Sequence, residues 1–323
     1  MIVTDKIYGR EEITEPVLIE LIQSKPLQRL KGVNQAGSQL VQPHRKYSRF
    51  DHCLGVMILL KRFQAPLEEQ IAGLLHDVSH PAFSHVVDFA FGEGETQTFH
   101  EKFAEKIVFN SEIPKILEIN GINASRVVNP ENFPLLEQPL PALCADRIDY
   151  FIKESTQDFG LYPEVTQFLD HIKVHKNQFV FDNQRLAKRF ALMFMKECSK
   201  VWTAPKTLAI FVLLAETIKR GLEIGVLTQK DLFGTDHFVY QKLKKSSDRL
   251  IKENLALLNP NLSVKTVTTG GDFHSKGKVR YVDPKILTNG HLAKLSDLDR
   301  GFSKKIKEFK EKVSRGHKIK ILR

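Results

Sequence analysis

The chain reads as a mainly α protein, a large helical core followed by a smaller α+β C-terminal subdomain. Three observations predict this. Apolar residues recur at helical spacing through most of residues 1–225. Alternation with a period of two is confined to short stretches, at 172–182, 262–267 and 278–282. The 323 residues suffice for one large or two modest domains with a full core. We therefore divide the chain into a helical unit, 1–225, and an α+β unit, 226–323, and find no internal repeat or low-complexity segment.

Residues 1–15 form an extended lead-in around Ile7-Tyr8-Gly9. Pro16–Gln23 and Pro26–Gly32 read as short helices, the second broken by Gly32 and Gly37. Val33–Tyr47, with Gln39, Gln42, Pro43, His44, Arg45 and Lys46, reads as loop. Phe50–Phe63 is a strong helix, and Leu67–Ser79 is the helix around which the chain is organised. Its end is set by Pro81, which disfavours helix at the residue before it. Ala82–Phe91, Thr98–Asn110, Glu112–Asn120 and Pro141–Lys153 follow as helices, with Gly121–Leu140 as loop with room for one helical turn. Ile172–Asp182 predicts a hairpin turning at Lys176-Asn177. Gln184–Lys200, Thr207–Glu223, Gln229–Phe233 and His237–Leu257 read as helices, and Leu262–Val267 and Lys278–Val282 as strands. A basic helix and a terminal Lys-Ile-Lys-Ile-Leu strand finish the chain.

Composition narrows the function classes. Apolar content of 42% and charged content of 27% are ordinary for a globular protein, and no apolar run is long enough to span a membrane. The first ten residues lack a signal-peptide layout. Cys53, Cys144 and Cys198 are odd in number and far apart, which argues for free thiols and a cytoplasmic location. The net charge is +10, and Gly301–Arg323 holds nine Lys/Arg against two Glu. Such a tail allows weak nucleic-acid binding. However, Phe302, Ile306, Phe309 and Val313 fall at helical spacing, which favours a solvated amphipathic helix.

The chemistry concentrates in Ile71–Asp88, I-A-G-L-L-H-D-V-S-H-P-A-F-S-H-V-V-D. At about 100° per residue, Ile71, Leu74, Leu75 and Val78 fall on one arc and His76, Asp77 and His80 on the other. Upstream, R-F-D-H carries Arg49 and His52; downstream stand His85, Asp88 and His100, then A-D-R-I-D-Y with Asp146, Arg147, Asp149 and Tyr150. Two imidazoles and two carboxylates make a mixed N/O site for a divalent or iron-type metal, with positions left for water and substrate. A lone His-Asp pair is a weak signal, whereas the ordered set H…HD…H…D is strong. Singly, His44, His85 and His237 read better as structural or surface histidines. Asp149 is equally explained by a helix-surface salt bridge, Arg147 by a structural ion pair, and Trp202 by the core.

These ordered motifs resemble the HD-domain phosphohydrolase superfamily, and within it the deoxynucleoside triphosphate triphosphohydrolase branch. The resemblance rests on D-K-I-Y-G, L-Q-R-L-K-G-V-N-Q-A-G, Y-S-R-F-D-H-C-L-G-V, G-L-L-H-D-V-S-H-P-A-F-S-H-V-V-D, T-F-H-E-K and A-D-R-I-D-Y-F, covering residues 5 to about 155. Beyond that only K-V-R-Y-V-D-P (278–284) is similar. The resemblance implies an HD-domain helical core, with His52, His76, Asp77 and Asp146 as metal ligands and His80, Asp88 and His100 as the catalytic group. It implies that Arg49 and Arg147 contact phosphate, that Gln35 contacts the sugar hydroxyl beside Ala36, and that Tyr150 packs on the sugar.

The expected cofactor is Mn, Mg, Fe, Co, Ni or Zn. The expected reaction is hydrolysis of a dNTP to deoxynucleoside and triphosphate, with water activated at the metal attacking the α-phosphorus. Either His100, or His80 steered by Asp88, would protonate the leaving group. A homo-oligomer is expected on the same ground. The chain departs from the branch at Val201-Trp202-Thr203-Ala204-Pro205-Lys206, where many relatives carry a histidine. It also has no clear partner for the arginine on the terminal phosphate, where Lys196, Lys200 or Lys206 are the candidates. The alternatives are another HD-type hydrolase, acting on 5′-nucleotides, guanosine tetraphosphate or cyclic nucleotides, or a nucleotide- or nucleic-acid-binding protein with little turnover.

Overall fold

The computed structural model describes residues 1–42 and 44–322; Pro43, expected in the loop, and the terminal Arg323 lie outside the described residues. The centre of the molecule is the helix Arg49–Arg62. Ser48 caps it: its hydroxyl accepts from the Asp51 amide at 3.2 Å, and the Asp51 carboxylate accepts from the Ser48 amide at 2.8 Å. Every residue from Phe50 to Leu60 except Asp51 is buried, so the helix is enclosed on all sides rather than amphipathic. It packs on Leu67–Leu75 and on Ala145–Phe159. Gly55 sits at the second contact, where a Cβ would overlap Lys153 Nζ and Asp149 Oδ1, so any side chain there must displace that buried ion pair.

The helix expected over Leu67–Ser79 ends at Leu75. Tight turns take over, with Val78 N donating to Leu75 O and His80 N to Asp77 O, each at 3.0 Å. The Arg29 guanidinium donates to the carbonyls of Val78 at 2.9 Å and His80 at 2.8 Å. A distant side chain thus satisfies carbonyls that a longer helix would have used. The expected Ala82–Phe91 helix starts only at Val86, because Phe83 (φ 62°) and Ser84 (φ 51°) are left-handed. Thr98–Asn110 is a 3-10 turn, His100–Phe103, leading into the helix Ala104–Phe109. The fourth motif lies on Ala145–Phe159, which ends at Gly160 with φ 67°.

The later half is mixed, as expected. The hairpin Ile172–His175 and Gln178–Phe181 turns at Lys176 and Asn177, both with positive φ. Lys285–Thr288 joins it in parallel through Phe181 and Ile286, and His291–Lys294 completes a four-stranded sheet. A second sheet places the terminal strand His317–Leu322 between Ser263–Thr266 and Phe273–Ser275. Lys278–Val282, expected as a strand, has no regular structure. It crosses between the two sheets, and its polar backbone groups turn to other partners: Arg280 N donates to Cys198 Sγ at 3.4 Å. The segment expected as one helix over His237–Leu257 divides into Asp236–Lys244 and Arg249–Leu257.

The basic helix Arg300–Ser314 buries Phe302, Ile306 and Val313, and Phe302 and Ile306 belong to the main core together with Phe190 and Ile286. Among the described residues no single helix is long and apolar enough to cross a membrane.

Candidate metal centre

Burial and hydrogen bonding settle the tautomers of two histidines. His52 is fully buried, and its Nδ1 lies 2.7 Å from Asp149 Oδ2. The carboxylate can only accept, so Nδ1 carries the proton and Nε2 a lone pair. His76 Nδ1 lies 2.8 Å from the carbonyl of Gly73, which fixes the same tautomer. The two lone-pair nitrogens then face each other at 3.2 Å. Around them, Asp146 Oδ1 is 3.0 Å from His52 Nε2 and 3.6 Å from His76 Nε2. Asp77 Oδ2 is 3.6 Å from His52 Nε2, and Asp77 Oδ1 is 3.6 Å from His76 Nε2.

Two unprotonated nitrogens and two carboxylates at these separations repel one another unless a cation lies between them. Ligands bound at about 2.0–2.2 Å stand roughly 3–3.5 Å apart around one ion, so His52, His76 and Asp146 fit a divalent metal, with Asp77 at the edge of the set and shared with Arg49 and His80. The electrostatics agree. Burial alone would lower the His52 and His76 imidazoles. The carboxylates of Asp146 and Asp149 beside the His52 ring raise the first instead, and the Asp77 charge raises the second to about 9. The negative surplus that holds a proton there would hold a divalent cation equally well.

Arg49 stands on the same helix as His52. Its guanidinium donates to Asp77 Oδ2 at 2.6 Å, Ser84 Oγ at 3.0 Å and the Gln35 carbonyl at 2.9 Å. The left-handed backbone at Phe83 and Ser84 directs the hydroxyl to it. Gln35 is buried, and its side-chain Oε1 has no hydrogen-bond partner.

Beyond Asp77 lies a second group of imidazoles. His80 Nε2 is 3.2 Å from Asp77 Oδ1, and the His80 ring stacks on His100 with centroids 3.8 Å apart. His85 stands edge-on to His80 at 5.0 Å. Burial, with the charge of Arg49 beside it, pushes His80 and His85 well below the usual imidazole range. Burial brings His100 down to about 4. His80 Nδ1 and His100 Nδ1 are buried without partners, a costly state that a bound ligand relieves.

Asp88 accepts from the Phe99 amide at 2.9 Å, and its other oxygen faces His85 Nδ1 at 3.1 Å. The expectation that Asp88 steers His80 is corrected here: Asp77 orients His80, and Asp88 orients His85. His85, expected as a structural histidine, stands in the site; its three-residue spacing from Asp88 on a helix start is the one signal the residues offer.

Arg147 donates to Glu137 Oε1 at 2.7 Å and the Ala142 carbonyl at 3.0 Å. Tyr150 lies 6.4 Å from the His52 ring and 5.4 Å from Trp202, centroid to centroid. Trp202 donates to Glu154 Oε2 at 2.8 Å. Asp149 is not on the helix surface: it is fully buried between His52 and Lys153, whose Nζ is 3.0 Å from Oδ1. Lys153 also reaches Asp5 Oδ2 at 2.9 Å, which ties the N-terminal hairpin to the back of the site. Lys196 Nζ lies 3.9 Å over the Phe159 ring, and Lys206 donates to the Pro260 carbonyl at 3.0 Å.

Comparison with known proteins places this geometry. The HD domain family model matches residues 49–153, the span from Arg49 to Lys153. The chain is 37% identical to the uncharacterized protein YdhJ of Bacillus subtilis, covering 100% of both chains. It is 32% identical to the metal-dependent phosphohydrolase cns2 of Cordyceps militaris, covering 72% of this chain and 70% of that one. Deoxynucleoside triphosphate triphosphohydrolase SAMHD1 of Mus musculus is 25% identical over 83% of this chain and 45% of its own length. A solved phosphohydrolase from Bacteroides thetaiotaomicron shares the fold, with a TM-score of 0.73 at 19% identity, covering 93% of this chain and 94% of that one. The chain therefore belongs to the HD-domain metal-dependent phosphohydrolases.

Proposed function

We propose that this phosphohydrolase acts on nucleotides and hydrolyses dNTPs to deoxynucleoside and triphosphate. The observation that carries the reading is the pair of lone-pair nitrogens, His52 Nε2 and His76 Nε2, 3.2 Å apart and flanked by Asp77 and Asp146. These four residues would hold the metal. When bound, the ion supplies Lewis acidity toward a phosphoryl oxygen and lowers the pKa of water. Arg49, held rigid by three acceptors, offsets charge that develops on the α-phosphate. The imidazoles of His80, which is buried, and of His85 and His100, which are partly buried, start neutral because desolvation disfavours their charged forms. An arriving phosphate anion raises their proton affinity, so one of them can deliver a proton to the leaving 5′-oxygen. Gln35, with an unpartnered buried oxygen, suits a sugar hydroxyl, and Tyr150 offers a ring face near His52.

What supports a deoxynucleotide is the motif set around Gln35 and Arg49 and the similarity to the mouse triphosphohydrolase. A second reading, another HD-type nucleotide hydrolase, is favoured by one observation: Arg147 is already engaged by Glu137. The test is a substrate screen of the purified protein with Mn, Mg, Fe, Co or Ni against dNTPs, NTPs, monophosphates and cyclic dinucleotides. The expected products are deoxynucleoside and triphosphate. Release from monophosphates or cyclic dinucleotides alone would select the second reading, and turnover that survives loss of both His76 and Asp77 would remove both.

A further inference from the structure

Lys278 and Arg280 are cations outside any close ion pair among the described residues, with Glu101 and Glu137 acting on Lys278 only from farther off. Both are partly buried, in the irregular segment that crosses between the two sheets. Among the described residues, neither has a carboxylate within 4.0 Å. Arg280 donates to Gln97 Oε1, a neutral partner three residues before His100. Its guanidinium lies 6.0 Å from the centroid of Trp202, which in turn packs on Tyr150. Two backbone-to-thiol contacts hold the segment here: Cys198 Sγ to the Lys278 carbonyl at 3.9 Å, and the Arg280 amide to Cys198 Sγ at 3.4 Å.

We propose that Lys278 and Arg280 form the binding site for the distal phosphates of the substrate, a nucleoside di- or triphosphate, at the mouth of the metal centre. The inference rests on the nucleotide reading given above and names the residues that would set its preference for polyphosphate. Partly buried cations side by side are costly unless an anion joins them, and a polyphosphate carries the charge to do so. Their fields overlap with the site. Burial and the adjacent Arg280 charge pull the Lys278 ammonium below its ordinary value, against the opposing charges of Glu101 and Glu137. Burial, Arg49 and Arg280 together depress His85. The segment thus brings two cations from the last fifty residues to a centre otherwise built from residues 35–150. Of the three lysines considered for the terminal phosphate, Lys196 and Lys206 are turned toward Phe159 and Pro260.

The experiment uses the full-length chain and two probes, inorganic tripolyphosphate and inorganic phosphate, titrated by calorimetry into wild type, K278Q, R280Q and the control K307Q on the exposed face of the basic helix. Each site variant is expected to weaken tripolyphosphate by about 10–100-fold while phosphate and the control are unchanged. In turnover with dNTPs the same variants raise KM and leave kcat within reach of wild type. Failure of wild type to bind tripolyphosphate, or binding by K278Q and R280Q as tight as by wild type, overturns the proposal.

The cation site and the dNTP activity fail separately. If wild type hydrolyses dNTPs and the variants keep its KM, the cation site falls and the function stands. If the variants lose tripolyphosphate but wild type leaves dNTPs intact, the cation site stands and the dNTP assignment falls. Should Arg280→Gln fail to fold, Lys278→Gln carries the test, because the Lys278 side chain makes no hydrogen bond to the described residues.

Discussion

Replacing Asp149 by asparagine probes the support behind the metal centre without touching a proposed ligand. Asp149 accepts the Nδ1 proton of His52 at 2.7 Å and is fully buried. The carboxylate orients the ring and makes Nε2 a stronger donor to a metal. The amide of the D149N variant retains an acceptor oxygen of the same shape and loses the charge. Partners of this kind typically govern metal affinity by 10–100-fold, or about 1.4–2.7 kcal/mol at ~1.36 kcal/mol per decade.

Stability changes less than the removal of a buried charge would suggest. An abandoned buried charge costs about 3–5 kcal/mol, but Lys153 keeps Asp5 at 2.9 Å and the Asp51 carbonyl at 2.6 Å. We expect a loss of about 1–3 kcal/mol. The assay is calorimetric titration of Mn2+ into wild type and D149N, with urea denaturation of both as the control on folding. A folded D149N that binds Mn2+ as tightly as wild type would refute the reasoning, because His52 would then owe nothing to the carboxylate behind it.

Three further outcomes are expected. Gly55→Ala places a methyl group against Lys153 Nζ and Asp149 Oδ1 and should destabilise by about 2–3 kcal/mol; an unchanged denaturation midpoint would show that the helices can move apart there. Glu197 is buried beside Glu154 and Asp158, with Arg45 shared between those two, and burial with the Glu154 charge raises its carboxyl to about 9. The folded state therefore keeps a proton that the unfolded state releases above about 4.5, so this group costs stability progressively as pH rises from about 4.5 to 9, at up to ~1.4 kcal/mol per pH unit. Glu197→Gln should flatten that slope in urea denaturation series, and parallel slopes would contradict the assignment. His85→Ala and Asp88→Asn should each lower kcat by about 10²-fold or more with Mn2+ affinity retained, if the pair holds the proton for the leaving group. Loss of Mn2+ affinity instead would make His85 a ligand.

Several features of the site are legible in the residues alone, and for an identifiable reason. His76 and Asp77 follow a helix with an apolar face and Asp146 opens another, whereas His52 lies on a helix buried on every side, so the order of the motifs rather than periodicity points to their convergence. The helical face expected for His76, Asp77 and His80 does not form. The helix stops at Leu75, and the turns capped by Arg29 place Asp77 and His80. Periodicity cannot register a cap that comes from fifty residues away. Phe83 and Ser84 illustrate the same limit, since an apolar residue and a serine give no hint of left-handed backbone. His85 has the composition of a surface residue until Asp88 is seen beside it. Lys278–Val282 alternates like a strand, yet the neighbouring Cys198 thiol and the Pro141 carbonyl, which accepts from Asp283 N at 2.9 Å, take the hydrogen bonds that a sheet would have used.

The most direct test is crystallographic: crystals soaked in Mn2+, with the ion located by anomalous scattering. The account predicts one strong peak within about 2.0–2.3 Å of His52 Nε2, His76 Nε2 and a carboxylate oxygen of both Asp77 and Asp146. A principal peak among His80, His85 and His100, with the first four side chains unliganded, would contradict it.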